Sequence, residues 1–123
     1  MKRALLVEDH HLFREVLAVV LEQEPDLKGT VQVESLAEAR RVLVDLSGEI
    51  DLLIVDLDLP AGDAIGLIEN IREAGTDLPV LALTTSRSLE RRALVLRAGA
   101  SEVLSTASAS DKIVSTVNRL VGA

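Results

Sequence analysis

The chain has 123 residues, which suits one domain, and it lacks cysteine, which excludes disulfide bonds and thiolate metal sites. Hydrophobic residues make up 48% of it and aromatic residues only 1%, so we predict an aliphatic core and exclude stacking platforms for single-stranded nucleic acid. The net charge of −7 argues against DNA binding and favours an acidic module that binds a metal or a protein. Signal-peptide and membrane-span patterns are both missing, so we expect a cytoplasmic protein.

Strand and helix patterns alternate from the N-terminus. Residues 4–7 form an apolar run that predicts a first strand, and Glu8 and Asp9 follow it directly. Helical spacing of apolar residues predicts a first helix, whose core-facing stripe is Phe13, Val16, Leu17, Val20 and Leu21. Lys28 and Gly29 predict a turn. Residues 30–34 alternate polar and apolar, which indicates a strand at the edge of a sheet.

Ser35 and Glu38 match the capping-box pattern at the start of a second helix. The next aliphatic run, residues 50–55, predicts a strand buried on both faces, and it ends in Asp56. Asp63 is the predicted N-cap of a third helix and Gly75 its C-terminal stop.

The last third of the chain repeats the alternation. Residues 79–83 predict a fourth strand, which Thr84 follows. Residues 89–98 predict a helix that Gly99 ends, residues 102–105 predict a second edge strand, and apolar spacing from Ile113 to Val121 predicts a fifth helix. Five strand–helix units without a linker predict one α/β domain over residues 1–123. Its expected architecture is a flavodoxin-like, doubly wound parallel sheet with strand order 2-1-3-4-5.

In that order the first and third strands are neighbours, so Glu8, Asp9 and Asp56 should meet beyond their carboxyl ends. Carboxylates held this closely repel one another unless a cation joins them, and oxygen ligands of this kind suit Mg²⁺. A carboxylate nucleophile such as Asp56 could then accept a phosphoryl group, with the hydroxyl of Thr84 beside it. The plainer interpretation is a set of solvated acids. His10 and His11 are adjacent, so their side chains should diverge at an exposed helix entrance rather than share a metal.

Four segments together resemble the receiver domain of two-component response regulators. They are Val7-Glu8-Asp9, the run from Ile54 to Pro60, Leu83-Thr84 and Ala98-Gly99-Ala100. The resemblance implies that Asp56 is the phosphoacceptor for a histidine kinase. It also implies that Asp9, Glu8 through water, Asp56 and the backbone carbonyl of Asp58 serve Mg²⁺, and that Thr84 binds the phosphoryl group and switches position.

The chain departs from the family pattern at three places. The usual Lys-Pro pair after the fifth strand falls on Thr106 and Ala107, the aromatic switch residue falls on Val103, and the glycine after Asp63 is Ala64. A threonine supplies no charge to a phosphoryl group. Lys112 should lie too far along the last helix to substitute, and Arg87 is a conceivable surrogate. We expect a trans peptide bond between Thr106 and Ala107, because a cis bond there would cost roughly 3 kcal/mol.

Three functions compete. The first is a non-enzymatic receiver phosphorylated at Asp56, and its variant is an atypical receiver that docks without phosphorylation. The second is a haloacid-dehalogenase-like phosphatase, suggested by Asp56-Leu57-Asp58 but lacking the needed lysine and a cap domain. The third is a structural interaction domain that uses Arg87, Arg91, Arg92 and Arg97 on the fourth helix, a cluster more typical of a solvated face.

The start of the chain, from Glu8 to Glu15, is similar to receivers joined to a helix-turn-helix output domain. The expected partners are therefore a sensor histidine kinase and such a domain outside these residues. We expect this domain itself to bind neither nucleic acid nor membrane. The sequence does not decide whether it forms a homodimer.

Overall fold

The computed structural model describes residues 1–60 and 62–122 of the chain. Strands and helices alternate as the sequence predicts. They are β1 (Lys2–Val7), α1 (His11–Glu22), β2 (Leu27–Val33), α2 (Leu36–Asp45), β3 (Leu52–Asp56), α3 (Ala64–Glu73), β4 (Val80–Thr84), α4 (Leu89–Ala98), β5 (Glu102–Ser105) and α5 (Ser110–Gly122).

The strands form one parallel sheet in the order β2-β1-β3-β4-β5, which confirms the predicted flavodoxin-like topology. Consecutive residues of β3 point to opposite faces of this sheet. Leu53 and Val55 pack with α2, α3 and α4, whereas Leu52 and Ile54 pack with α1 and α5. Every residue of β3 is buried, as expected for a central strand covered by helices on both sides.

The predicted helix ends are largely confirmed by their caps. The Ser35 side chain accepts a hydrogen bond from the Glu38 amide, and that of Asp63 accepts one from the Gly66 amide. Gly75 follows α3 with φ +82°, a conformation that glycine adopts without steric cost.

Two local predictions were wrong. Lys28 and Gly29 lie inside β2 rather than in a turn, and the register with β1 shifts there, so they form a β-bulge with φ +40° at Gly29. Val16 is 52% exposed, although it was predicted to face the core. The buried residues of α1 are Arg14, Leu17, Ala18 and Leu21.

Candidate functional site

Three carboxylates meet at the carboxyl ends of β1 and β3. The register pairs Val7 with Val55, so the residues that follow each strand lie side by side. One carboxylate oxygen from each of Glu8, Asp9 and Asp56 lies within 4.8 Å of the others. Glu8 and Asp56 are buried and Asp9 is exposed, so the cluster opens to solvent on one side. The predicted convergence of the three acids is therefore present.

Backbone amides orient these carboxylates. The Asp58 amide donates to Asp56 Oδ1 at 2.8 Å, and the His10 amide donates to Glu8 Oε2 at 3.3 Å. Burial, the hydrogen bond with Asp56 and the charge of that carboxylate together raise the pKa of Glu8 from 4.5 to about 8, and burial contributes most. The Glu8 proton therefore separates two acids that would otherwise repel each other.

The cluster fits Mg²⁺. Its donors are all oxygen atoms, they converge within 4.8 Å, and the charge of Asp56 is one of the causes, after burial, that raise the pKa of Glu8. A hard divalent cation prefers carboxylate oxygens and would replace the proton on Glu8. The acid cluster is thus a candidate magnesium site.

The hydroxyl of Thr84 lies at the same edge of the sheet but is engaged by Asp58. Thr84 Oγ1 donates to the Asp58 carboxylate at 3.3 Å and accepts from the Ser86 amide at 3.0 Å. The same carboxylate accepts from the Thr85 amide at 2.7 Å and from the Thr85 hydroxyl at 3.0 Å. Asp58 therefore contributes its side chain to the site, in addition to the backbone carbonyl singled out by the sequence.

An arginine from α4 reaches the loop that follows Asp56. Arg91 Nη2 donates to the carbonyl oxygen of Leu57 at 3.3 Å and lies 3.9 Å from Asp58 Oδ1. Its side chain is 37% exposed, so the guanidinium is partly shielded from water. The positively charged guanidinium of Arg91 therefore lies beside Leu57 and Asp58, the two residues that follow Asp56.

The family model described as the response regulator receiver domain matches residues 4–118. The chain belongs to this family. Receiver domains are generally non-enzymatic signalling domains of two-component systems, and this chain has their fold.

Curated relatives agree with the family. The Virulence transcriptional regulatory protein PhoP of Salmonella typhimurium is 36% identical over 103 residues, which cover 83% of this receiver domain and 44% of the relative. The Transcriptional regulatory protein PhoP of Escherichia coli is 36% identical over 101 residues, which cover 81% of this chain and 43% of the relative. The receiver domain therefore spans less than half the length of these relatives.

Solved structures support the same fold. The receiver domain of a Francisella response regulator superposes with a TM-score of 0.88 at 20% identity, covering 99% of this chain and 98% of that one. The signal receiver domain of a DNA-binding response regulator from Colwellia psychrerythraea has a TM-score of 0.89 at 19% identity, with both chains fully covered. Within residues 1–60 and 62–122, no helix is both long enough and apolar enough to cross a bilayer.

The departures from the receiver pattern lie where the sequence comparison predicts them. The Thr106 amide donates to the Thr84 carbonyl at 3.0 Å, so the position of the usual lysine borders the site but carries no charge. The bond between Thr106 and Ala107 is trans, as predicted, since no described peptide bond is cis. Val103 is a buried core residue of β5 and offers no aromatic ring to rotate.

Sequence reasoning missed Arg14 and the backbone contacts of Arg91 and Arg92 on α4. Arg14 is buried and its Nη1 donates to the Glu8 carbonyl at 2.9 Å, which fixes the backbone of the acid cluster. Arg14 precedes Leu17, Ala18 and Leu21 at the spacing of one helix face, and this spacing could have predicted that it is buried with them. Arg87, the surrogate considered from the sequence, precedes α4 and is exposed. Arg91 and Arg92 bind backbone carbonyls, although Arg92, like Arg87 and Arg97, is exposed as a solvated face predicts.

Proposed function

We propose that this receiver domain accepts a phosphoryl group on Asp56 from the phosphohistidine of a sensor kinase. The observation that carries the proposal is the cluster of Glu8, Asp9 and Asp56, in which the acceptor carboxylate is buried beside two potential metal ligands. Asp56 is held by the Asp58 amide, so its carboxylate has a fixed direction before a phosphodonor arrives.

The transfer conserves atoms and charge. A carboxylate oxygen of Asp56 forms a bond to phosphorus while the bond from phosphorus to the imidazole nitrogen breaks. The imidazole leaves with the electron pair of that bond. Asp9, Asp56 and the Asp58 carbonyl would hold Mg²⁺, with Glu8 acting through water, and the ion would supply charge neutralisation at the phosphoryl oxygens. Thr84 then exchanges its hydrogen bond to Asp58 for one to a phosphoryl oxygen.

The relatives support a proposal for the regulatory output. They are transcriptional regulatory proteins more than twice as long as their match to this chain, so we propose that residues 1–123 act as a receiver domain that controls a DNA-binding partner domain. The cytoplasm is the proposed compartment, since a sensor kinase and DNA would both be reached there.

A second candidate is a receiver that docks its partner without phosphorylation. It is favoured by Thr106 and Val103, which replace the two residues on which the usual switch depends. The phosphatase alternative is weaker, because among the described residues no lysine side chain hydrogen-bonds Asp56, Asp58 or Thr84.

Intact-mass measurement after incubation with acetyl phosphate and Mg²⁺ tests the proposal. We expect the wild-type chain to gain the mass of one phosphoryl group and to lose that gain when a chelator replaces Mg²⁺. Asp56→Asn should abolish the gain. Asp45→Asn, which alters an exposed acid at the end of α2, is the matched control and should retain it.

The opposite result is equally clear. A wild-type chain that stays unmodified at high phosphodonor and Mg²⁺ concentrations, while it remains folded by circular dichroism, would exclude phosphorylation at Asp56 and favour the docking module. A mass gain that Asp56→Asn retains would place the acceptor elsewhere.

A further inference from the structure

Helix α4 is held to the sheet mainly by polar contacts. Val95 is its one buried residue, whereas Leu89, Leu94 and Leu96 are exposed. Two arginines fasten it instead. Arg92 Nη1 donates to the Val103 carbonyl, and its Nη2 bonds Glu102 Oε1 at 3.1 Å. Arg91 makes the other attachment, to the loop after β3. The position of α4 therefore depends in part on what Arg91 binds.

The bonds of Arg91 are the kind that a stronger acceptor would replace. Its contact with the Leu57 carbonyl is 3.3 Å long, and its 3.9 Å separation from Asp58 Oδ1 exceeds hydrogen-bond distance. An arginine fork binds a phosphoryl group through short, charge-assisted hydrogen bonds. Within the described residues, no other lysine or arginine side chain hydrogen-bonds residues 56–60.

Asp58 can release Thr84 and Arg91 and still keep its hydrogen bonds to Thr85. If Thr84 and Arg91 turn away, the Thr85 amide and hydroxyl still donate to the carboxylate. A phosphoryl group on Asp56 would also repel the Asp58 carboxylate, which weakens its hold on Thr84 and Arg91. The Asp58 carboxylate thus occupies the two groups that a phosphoryl group would bind.

We propose that Arg91 supplies the positive charge that binds the phosphoryl group on Asp56, in place of the lysine that Thr106 replaces. This rests on the proposed phosphorylation of Asp56. Arg91 is then a phosphoryl-binding residue carried by α4. Phosphorylation draws its guanidinium from Leu57 and Asp58 toward the phosphoryl oxygens, and α4 moves with it because Val95 alone gives the helix little apolar anchorage. The helix replaces the buried aromatic switch that Val103 cannot provide.

Phosphorylation kinetics test this inference with three single variants and one double variant. Arg91→Ala should slow modification by acetyl phosphate about tenfold, the scale expected for losing a hydrogen bond to a charged group. Arg91→Lys should restore part of the rate, since it keeps the charge but not the fork. Arg97→Ala is the matched control. It removes the same charge from an exposed site of the same helix and should leave the rate unchanged.

The rescue variant separates binding from structure. Arg91→Ala combined with Thr106→Lys places a charge at the bordering position just after β5 and should recover the rate. The recovered rate should not be accompanied by a recovered response of α4 in hydrogen exchange. Phosphorylation should alter α4 exchange in the wild type but not in the rescued double variant, whose cation lies outside the helix.

Each other outcome overturns the inference in its own way. If the wild type is phosphorylated and Arg91→Ala reacts at the same rate, Arg91 does not bind the phosphoryl group. If Arg91→Ala is slow and Thr106→Lys fails to rescue it, Arg91 serves the fold alone. If the wild type itself is never modified, the proposed function fails first and takes the inference with it.

Discussion

Glu8 is the residue whose acid–base chemistry departs furthest from its value in water. It follows β1 directly and is 3% exposed, and its carboxyl group shares a hydrogen bond with Asp56. Burial, that hydrogen bond and the neighbouring charge raise its pKa to about 8. At neutral pH it is therefore mainly protonated, and a cation bound at the cluster would compete with that proton.

The raised pKa makes the stability of the metal-free chain depend on pH. Glu8 loses its proton near pH 4.5 when unfolded but near pH 8 when folded, so the folded state holds more protons between these values. The free energy of unfolding should therefore fall as pH rises through this window, by about 1.4 kcal/mol per pH unit at most. The contribution is fully present below pH 4.5 and lost above pH 8. Thermal denaturation in chelator-treated buffer measures it.

Glu8→Gln provides the test, because glutamine cannot ionise yet keeps a similar shape. This variant should lose that part of the pH dependence and unfold at a higher temperature than the wild type near pH 8. Glu69→Gln changes an exposed glutamate of α3 and should keep the wild-type slope. An unchanged slope in Glu8→Gln would show that Glu8 does not hold the extra proton.

The acids of the site could be predicted from sequence because they are tied to strand ends, and strand ends share an edge in a parallel sheet. The strand order alone was enough to predict that Glu8, Asp9 and Asp56 meet. Arg91 could not be found this way, since a long side chain can reach several neighbours and its target depends on how α4 docks. Asp58 was noted for its carbonyl, whereas the partners of its carboxylate, Thr84 and Thr85, become visible only in three dimensions.

At the scale of single elements, β2 shows where local patterns mislead. Lys28 and Gly29 resemble a turn because a lone glycine after a polar residue usually marks one. In the fold this segment pairs with β1 and absorbs an extra residue as a bulge. Pairing with a neighbouring strand outweighs the local preference, which sequence spacing alone does not reveal. The glycine is required for the φ of +40° rather than for chain reversal.

Gly29→Ala should therefore destabilise the chain by about 1 kcal/mol, the cost of placing an L-residue in the left-handed region. A Cβ at this position would meet no atom within 4 Å, so backbone strain is the expected cause rather than a clash. Gly122→Ala, at the end of α5, also has open space but no positive φ, and it is the matched control. Chemical denaturation of both variants gives the comparison. Equal stabilities would mean that the bulge relaxes to accept alanine.

At the scale of the whole molecule, two apolar cores share one sheet. The core beneath α2, α3 and α4 contains Leu67, and the core beneath α1 and α5 contains Leu17. Neither core is complete without the strands, because successive residues of β3 belong to opposite cores. Loss of packing on one face should therefore free the strands on which the other face depends.

We predict that residues 1–123 unfold as one cooperative unit. Leu67→Ala and Leu17→Ala remove side chains that are 2% and 3% exposed, and each should cost about 2–5 kcal/mol. Both should lower the midpoint of a single transition, with the calorimetric enthalpy equal to the van't Hoff enthalpy. Val44→Ala, at a site 75% exposed, should leave the midpoint nearly unchanged. A second transition in either core variant would show that the two faces unfold separately.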